Sequence, residues 1–470
     1  MHRCREIFVT PGPFGWLPLY DDSYITLISA QALWSGGIPS YPDTPPLHGV
    51  TSPVHVAIVA ALLVALSPMG ALWASQVIGA AVYVSGLWGL GRNFGLSAPV
   101  SLTFVAVGVT AGVVPYHLFS GLETGLALGS VTWTLTLTRR ASGWSPFLYG
   151  TLPFVRPELG ILAIACAAWM VWHQPAHTRL RVFGLMALSA APWLAFTWWG
   201  AGSVVPASAA AKAAFVADRC WSTGLKTLVL VWSAKTWAIG LGLASIGIVG
   251  LFLRGLSRVY GIVFCAVLVL YTTGLPSHLL KYQHQRYLYA WAPIILFGLL
   301  ALIKHRLHES GIVLAVLLGV NAVIVIPTWK EVQRWHDAFV AEQQALRSWL
   351  AENVPPDSRI LVTDAGYLAY ATEFQLVDAV GLKSPSSADV HLAVTLPSCG
   401  RNRGAAMTTI ARLTNATHLV TWGEWEASSQ TAPAMRSAGW RVQEIRGKPG
   451  FVQDDWWYRV FALSDKAAFE

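Results

Sequence analysis

The chain has 470 residues, 54% of them hydrophobic and 12% charged, with a mean hydropathy of +0.50. Soluble domains carry about 25% charged residues, so the composition excludes an ordinary soluble protein and indicates an integral membrane one. The net charge of +8 comes with no basic run interleaved with aromatics; a nucleic-acid partner is set aside and the excess is read as the Lys and Arg of cytoplasmic loops.

In chain order, residues 1–20 are broken by Pro11, Pro13 and Pro18 and contain no signal-peptide core. Asp21-Asp22-Ser23-Tyr24 then open an amphipathic stretch that runs to Trp34 and stops at Gly36-Gly37. The pair has two readings. Asp21 can cap a helix and Asp22 occupy its first turn; or one carboxylate can take a proton from an attacking hydroxyl while its neighbour orients the substrate or raises the first one's pKa. The apolar stretch 53–66, closed by Ser67-Pro68, is shorter than the about 20 residues a crossing needs. It is read as a helix lying in the membrane interface.

Ten spans are expected, at about 71–91, 99–116, 122–138, 144–156, 159–173, 180–199, 236–253, 258–275, 286–303 and 310–327. The fourth contains Pro146 and Pro153 and is expected to be a broken helix. Alternate connections hold Arg92, Arg139 and Arg140, Arg179 and Arg181, Arg254 and Arg258, and Lys304 and Arg306, with Glu309 as their one acid. Positive charge marks the cytoplasmic side, so the remaining connections and everything after Pro327 are expected outside. Residues 1–70 then begin outside with no preceding anchor, which predicts a further transmembrane helix encoded upstream of Met1.

Beyond Pro327 a polar helix is expected at 331–352, ending before Pro355-Pro356. Strands follow at Arg359–Thr363, His418–Trp422, Trp440–Ile445 and Tyr458–Leu463, with helices near Met407–Leu413 and Ala432–Ser437. That alternation predicts a small α/β domain, and no Gly-rich loop after a strand suggests a nucleotide site. The chain thus divides into a first outer loop (1–70), a transmembrane domain (71–327) and an extracytoplasmic α/β domain (328–470). Cys4, Cys166, Cys220, Cys265 and Cys399 have no metal-like spacing. Cys220 and Cys399 could pair if both face an oxidising compartment, but unpaired thiols are the preferred reading.

The residues with chemical potential gather at the outward ends of spans. Arg156, Lys212 and Arg286 could hold a phosphate by charge-assisted hydrogen bonds; alternatively Arg156 pairs with Glu158 and the other two snorkel to the interface. Glu123 opens a span, where a carboxylate is costly unless paired, and is read as holding a sugar hydroxyl or a cation. His278, Lys281, His284 and Arg286 form an outer segment near that phosphate; two His without a paired acid are a weak metal signal.

Several of these segments resemble, in order, the landmarks of bacterial GT-C glycosyltransferases of the polyprenyl-phosphate-dependent group, which includes mycobacterial arabinofuranosyltransferases and mannosyltransferase relatives. The segment from Asp21-Asp22 through Gly36-Gly37 to Thr51-Ser52-Pro53 is similar to the family's first outer loop. Ser120-Gly121-Leu122-Glu123-Thr124 resembles Ser-Gly-Met-Glu-Thr, and Arg156-Pro157-Glu158 resembles Arg-Pro-Glu/Asp. Gly202 through Pro206 to Lys212 resembles a Gly…Pro-Asn-Thr…Ala-Lys segment, with Ala207 and Ser208 in place of Asn and Thr. Arg286-Tyr287-Leu288 ahead of Pro293 resembles Arg-Tyr/Phe-Leu…Leu-Pro, and Asp364-Ala365-Gly366 through Val377-Asp378 to Leu382 resembles Asp-Ile-Gly…Val-Asp-Leu-Gly-Leu.

The resemblance implies an inverting transferase in a bacterial cytoplasmic membrane that moves a sugar from a polyprenyl-phosphate donor to an extracytoplasmic glycan, lipid or protein. Asp22 is then the expected base and Asp21 its supporting carboxylate, with the reverse assignment left open. Arg156, Lys212, Arg286 and Tyr287 are expected at the donor phosphate, and Glu123, Glu158 and His284 at the substrate. A divalent cation is left open. The rival readings are a transporter or flippase for a lipid-linked sugar, which would show inverted repeats and mid-membrane charges, and a non-catalytic membrane scaffold.

Overall fold

Two serines start helices in the same way: the hydroxyls of Ser52 and Ser67 accept the backbone N–H three residues on, and a proline holds the first helical position. These begin α2 (Pro53–Leu62) and α3 (Pro68–Asn93), which follow α1 (Asp21–Ser35). The computed structural model describes residues 20–217, 220, 222, 224–228, 246–253, 255–274, 282–304, 307–448 and 457–465. The helical part continues with α4 (Ala98–Val109), α5 (Val114–Phe119), α6 (Thr124–Arg139), α7 (Ser145–Val155), α8 (Leu159–His173), α9 (Ala176–Ala201) and α10 (Ala207–Val216). It ends with α11 (Gly247–Leu251), α12 (Leu256–Gly274), α13 (Tyr282–Tyr289), α14 (Ala292–Ile303) and α15 (Leu307–Asn353).

Among the described residues, five helical stretches are long and apolar enough to cross a bilayer: Pro68–Asn93, Thr178–Ala201, Leu256–Thr273, Gln285–Ile303 and Gly311–Asn353. Glycine sets how closely the bundle packs. A Cβ at Gly79 of α3 would strike Gly125 and Leu126 at the start of α6, and one at Gly129 would strike Val82 and Tyr83 of α3. Small residues at such a crossing let the two backbones meet. The threonines of α6 send their hydroxyls to carbonyls one turn back, as at Thr132, Thr134, Thr136 and Thr138, so they need no water.

Three expectations are revised. The span drawn at 99–116 ends at Val109; Gly112, at φ 54°, separates it from the short α5. Helix α7 runs without interruption through Pro153, because that proline lies in the last turn, where it removes one hydrogen bond rather than a ladder of them. The polar helix drawn at 331–352 is not a separate element: α15 carries straight through Pro327 as one helix of 47 residues, about 70 Å long at 1.5 Å per residue. Of the span expected at 236–253, only 246–253 falls among the described residues.

The C-terminal part holds β1 (Arg359–Val362), α16 (Tyr367–Ala371), β2 (Gln375–Asp378), α17 (Pro385–Val390), a π-helical turn His391–Thr395 and α18 (Arg403–Leu413). These are followed by β3 (His418–Trp422), α19 (Gly423–Ser429), α20 (Thr431–Ser437), β4 (Trp440–Arg446) and β5 (Tyr458–Asp465). The strand order is β2-β1-β3-β5-β4, with β2, β1 and β3 parallel and β5 antiparallel to both its neighbours. Strand β2 was not expected. It is four residues long, begins at an exposed Gln375 and ends in Asp378, too little for alternation to register.

Among the described residues two large hydrophobic cores result, with a small third around Tyr20, Tyr116, Leu122 and Val332. One fills the helical bundle around Leu87, Leu128, Leu162 and Ile295. The second unites α1, the first loop, α2 and Phe215 of α10 with the sheet residues Ile360, Leu361, Leu419 and Val460. The first loop is bonded to the sheet domain along its length: Leu376 N–H donates to the Ser40 carbonyl at 2.9 Å, Tyr41 Oη donates to the Ala365 carbonyl at 3.1 Å, and Lys383 Nζ donates to Ser29 Oγ and the His48 carbonyl, each at 2.7 Å. Cys220 and Cys399 form a disulfide, overturning the preference for unpaired thiols: spacing in sequence says nothing about two cysteines brought together by tertiary packing. From the other side, Glu342 of α15 makes a buried two-pronged ion pair with Arg446 of β4 and accepts the Tyr458 N–H at 2.8 Å.

Candidate active site

Adjacent residues on a helix point about 100° apart, and at the start of α1 that rotation divides the two aspartates. Asp21 is buried and turned to the sheet domain, where its carboxylate accepts the N–H groups of Gly366 at 2.9 Å and Tyr367 at 2.7 Å. It does not cap its own helix; it holds the start of α16. Burial, with Asp364 nearby, pushes its carboxyl above the ordinary range, against the pull of those two N–H donors. Asp22 turns instead into a cleft between the bundle and the sheet. There its Oδ2 receives Lys212 Nζ at 3.2 Å and Arg286 Nη2 at 3.3 Å.

Each cation arrives from a different element. Lys212 lies on α10, whose C-terminal carbonyls, those of Phe215 and Val216, are held by Arg403 at 2.7 and 2.6 Å. Arg286 comes from α13 and is 2% exposed. Its Nε and Nη1 have no hydrogen-bond partner among the described residues. Arg156 stands at the extended break between α7 and α8, where Pro157 helps stop the first helix. Its guanidinium reaches Glu158 at 2.6 Å and Glu123 at 3.5 Å. Glu123 sits directly before α6, after a turn in which Gly121 takes φ 79°. The Tyr287 ring lies between the two arginines, its centroid 4.7 Å from the Arg156 Cζ and 5.1 Å from that of Arg286, and its hydroxyl is 3.4 Å from Arg286 Nη2.

Asp22, Lys212, Arg286, Tyr287, Arg156, Glu123 and Glu158 therefore form one connected charge network. Asp21 borders the same cleft but is engaged with the sheet. The side chain of His284, like His278 and Lys281, lies outside the described residues. No group of three or more His, Cys, Asp or Glu among the described residues is arranged to hold a metal ion.

In the sequence, Asp364, Ala365 and Leu382 stood only as landmarks of a resemblance, and no site residue was assigned to the sheet domain. Thr363, Asp364, Ala365, Val380, Leu382 and Trp425 line the cleft opposite Asp22. Asp364 follows β1 at its carboxyl end, and its Oδ2 accepts the Tyr458 hydroxyl at 2.5 Å. Desolvation, then the charge of Asp22, pushes its carboxyl up to about 6, with the Tyr458 hydrogen bond opposing them. A signal was present, since an acid just beyond a parallel strand occupies the usual ligand-facing position of an α/β sheet.

The arrangement of bundle, first loop and sheet has known counterparts. The crystal structure of ArnT from Cupriavidus metallidurans bound to undecaprenyl phosphate superimposes with a TM-score of 0.53, at 12% identity, over 95% of this chain and 94% of that one. The chain has a GT-C fold. The apo structure of the same ArnT gives 0.51 at 13% identity over the same shares. A cryo-EM structure of the mycobacterial arabinofuranosyltransferase AftD is similar at a TM-score of 0.47 and 16% identity, over 96% of this chain and 40% of that one. Residues 330–461 match a family model described as a domain of unknown function, DUF8728. No curated protein matches the sequence. Within the GT-C fold, the charge network occupies the junction of bundle, first loop and C-terminal domain.

Proposed function

We propose that the chain is an inverting membrane glycosyltransferase that moves a sugar from a polyprenyl-phosphate donor to an acceptor hydroxyl at the outer face of a bacterial cytoplasmic membrane. The observation that carries this reading is Asp22, a carboxylate at a cleft, held by two cations of which Arg286 is buried with two further N–H groups to offer. A buried guanidinium with donors to spare suits a phosphate, which it can grip in two-pronged fashion. The ArnT structure of the same fold is bound to undecaprenyl phosphate, and the proposed donor shares that lipid phosphate.

In the proposed reaction the acceptor oxygen attacks the anomeric carbon, and the bond from that carbon to the phosphate oxygen breaks. The polyprenyl phosphate leaves with the electron pair, its new charge met by Arg286, Lys212 and Arg156. Asp22 takes the proton from the attacking hydroxyl. An aspartate held by two cations is a weak base; a donor phosphate that draws Lys212 and Arg286 to itself leaves Asp22 the stronger base it must be. Glu123 and Glu158 keep Arg156 charged and aimed. The outward orientation rests on the charge pattern of the connections and on the Cys220–Cys399 disulfide, a bond favoured in oxidising compartments.

The test uses the full chain in lipid nanodiscs with a polyprenyl-phosphate sugar. Asp22→Asn keeps the shape but cannot take the proton, and transfer should fall by roughly 10²–10⁴-fold with donor binding retained. Arg286→Ala should lower turnover by about 10²-fold or more and weaken undecaprenyl phosphate binding. Wild-type rates in both variants would overturn the assignment.

A further inference from the structure

Resting on the transferase reading, we infer that the sheet domain governs the donor-phosphate site through α10, with Arg403 as a positioning residue that, together with the Cys220–Cys399 disulfide, holds Lys212 against Asp22. The two cations at Asp22 Oδ2 are held by different parts of the molecule. Arg286 belongs to α13, whose Tyr287, Leu288 and Tyr289 pack into the bundle core. Lys212 has no such anchor. Among the described residues, the side-chain hydrogen bonds and ring contacts of α10 run to the first loop, α1 and the sheet domain, and none to the bundle. Thr51 donates to Ser208 Oγ at 3.2 Å, Lys212 meets Asp22, and the Phe215 ring packs against those of His391 and Trp425, with centroids 5.0 Å away in both cases.

The end of α10 depends on ties to the sheet domain. Ala217, which closes the helix, takes φ 48°, a left-handed conformation that costs a residue with a Cβ about 1–2 kcal/mol and that helix ends usually give to glycine. Arg403, the first residue of α18, donates Nε to the Phe215 carbonyl at 2.7 Å and Nη2 to the Val216 carbonyl at 2.6 Å, and its Cζ lies 5.3 Å from the Phe215 ring centre. A cation on the last carbonyls also answers the negative end of the helix dipole. Just beyond, the exposed Cys220 is bonded to Cys399, which shortly precedes Arg403. Two ties thus join one short stretch at the end of α10 to one short stretch of the sheet domain, and Lys212 stands about one turn back from them. Losing either tie loosens that last turn and releases Lys212 from Asp22, while Arg286 keeps its place in the bundle. The donor phosphate would then meet Arg286 and Arg156 without the third cation.

The experiment follows Lys212 itself, in the full chain in lipid nanodiscs. The rate at which an N-hydroxysuccinimide ester acylates Lys212 is read by peptide mass spectrometry, and undecaprenyl phosphate affinity is measured beside it. Lys383 is the internal reference, since its Nζ is buried at the junction of first loop and sheet, on Ser29 Oγ and the His48 carbonyl. The two perturbations are Arg403→Met and treatment of the wild type with dithiothreitol, which reduces the disulfide to two thiols and is itself oxidised to a cyclic disulfide. In each, Lys212 should be acylated several times faster while Lys383 stays protected, and undecaprenyl phosphate affinity should fall about tenfold, as for one lost hydrogen bond between charged groups. Adding either perturbation to Lys212→Met should lower the affinity no further, whereas a general loosening of the fold would. Unchanged Lys212 acylation in either case, Lys383 acylated in parallel, or a further loss of affinity in the Lys212→Met background would overturn the inference. Should Arg403→Met fail to fold, the reduced wild type, already assembled, decides by the same readings. A wild type that binds no undecaprenyl phosphate, with Lys212 acylation responding as expected, would sink the transferase reading and not the placement of Lys212 by the sheet domain.

Discussion

Asp21 and Asp22 are neighbours in sequence with separate tasks, and the difference comes from what each meets. Asp21 satisfies two N–H groups that would otherwise open α16 without a partner, whereas Asp22 meets cations and a cleft. Asp364, across that cleft, carries a pH signature. Its folded pKa of about 6 lies above the unfolded value of 3.8, so protonation favours the folded state. Its stabilising contribution is fully present below 3.8 and is lost as the pH rises through about 6. The size is at most about 3 kcal/mol, and less where the cleft side meets water. The thermal midpoint of the wild type, compared with that of Asp364→Asn, should therefore rise between pH 7 and pH 5; a constant difference would show that Asp364 does not titrate in this range. The aspartate pair was visible in the sequence from its place at a helix start. Its division of labour was not, because the partners of Asp21 lie 345 and 346 residues away.

Among elements, the decisive contact is between the start of α1 and the turn before α16. A Cβ on Gly366 would collide with the Asp21 carbonyl and crowd its carboxylate. Gly366→Ala should therefore push α16 away from α1, expose the sheet domain to limited proteolysis and lower transfer, even though the residue touches no proposed substrate. Proteolysis and transfer matching the wild type would show that the docking has slack. The apolar helical character of the bundle and four of the five strands were readable because apolar length and alternation are local signals; the expected number of spans is not settled by the five helices long enough to cross among the described residues. The join of the last span to the polar helix was not: Pro327 reads as a stop, yet α15 passes through it as one helix. The charge network was readable residue by residue, as acids and bases at span ends. That Arg156 and Arg286 share the ring of Tyr287 requires helices α7 and α13 to meet, which no periodicity announces.

For the whole molecule, the proposed outward orientation rests on two independent features. Connections rich in Arg and Lys alternate with connections that hold the charge network, and the disulfide joins the segment after α10 to the sheet domain. A reporter fused after Glu470 should behave as extracytoplasmic, and Cys220 and Cys399 should resist alkylation in isolated membranes until a reductant is added. Cytoplasmic reporter activity would reverse the membrane orientation and the site's assignment with it. The second hydrophobic core, shared by the first loop and the sheet, also bears on how such a protein can change over evolutionary time. A domain joined by a linker can be exchanged between lineages as a unit. Here the sheet supplies a wall of the cleft, clamps the residue beside the proposed base and completes a core begun some three hundred residues earlier. A chimera carrying a foreign C-terminal domain would lose the cleft as well as the covering, so the two parts must be inherited together and diverge in step.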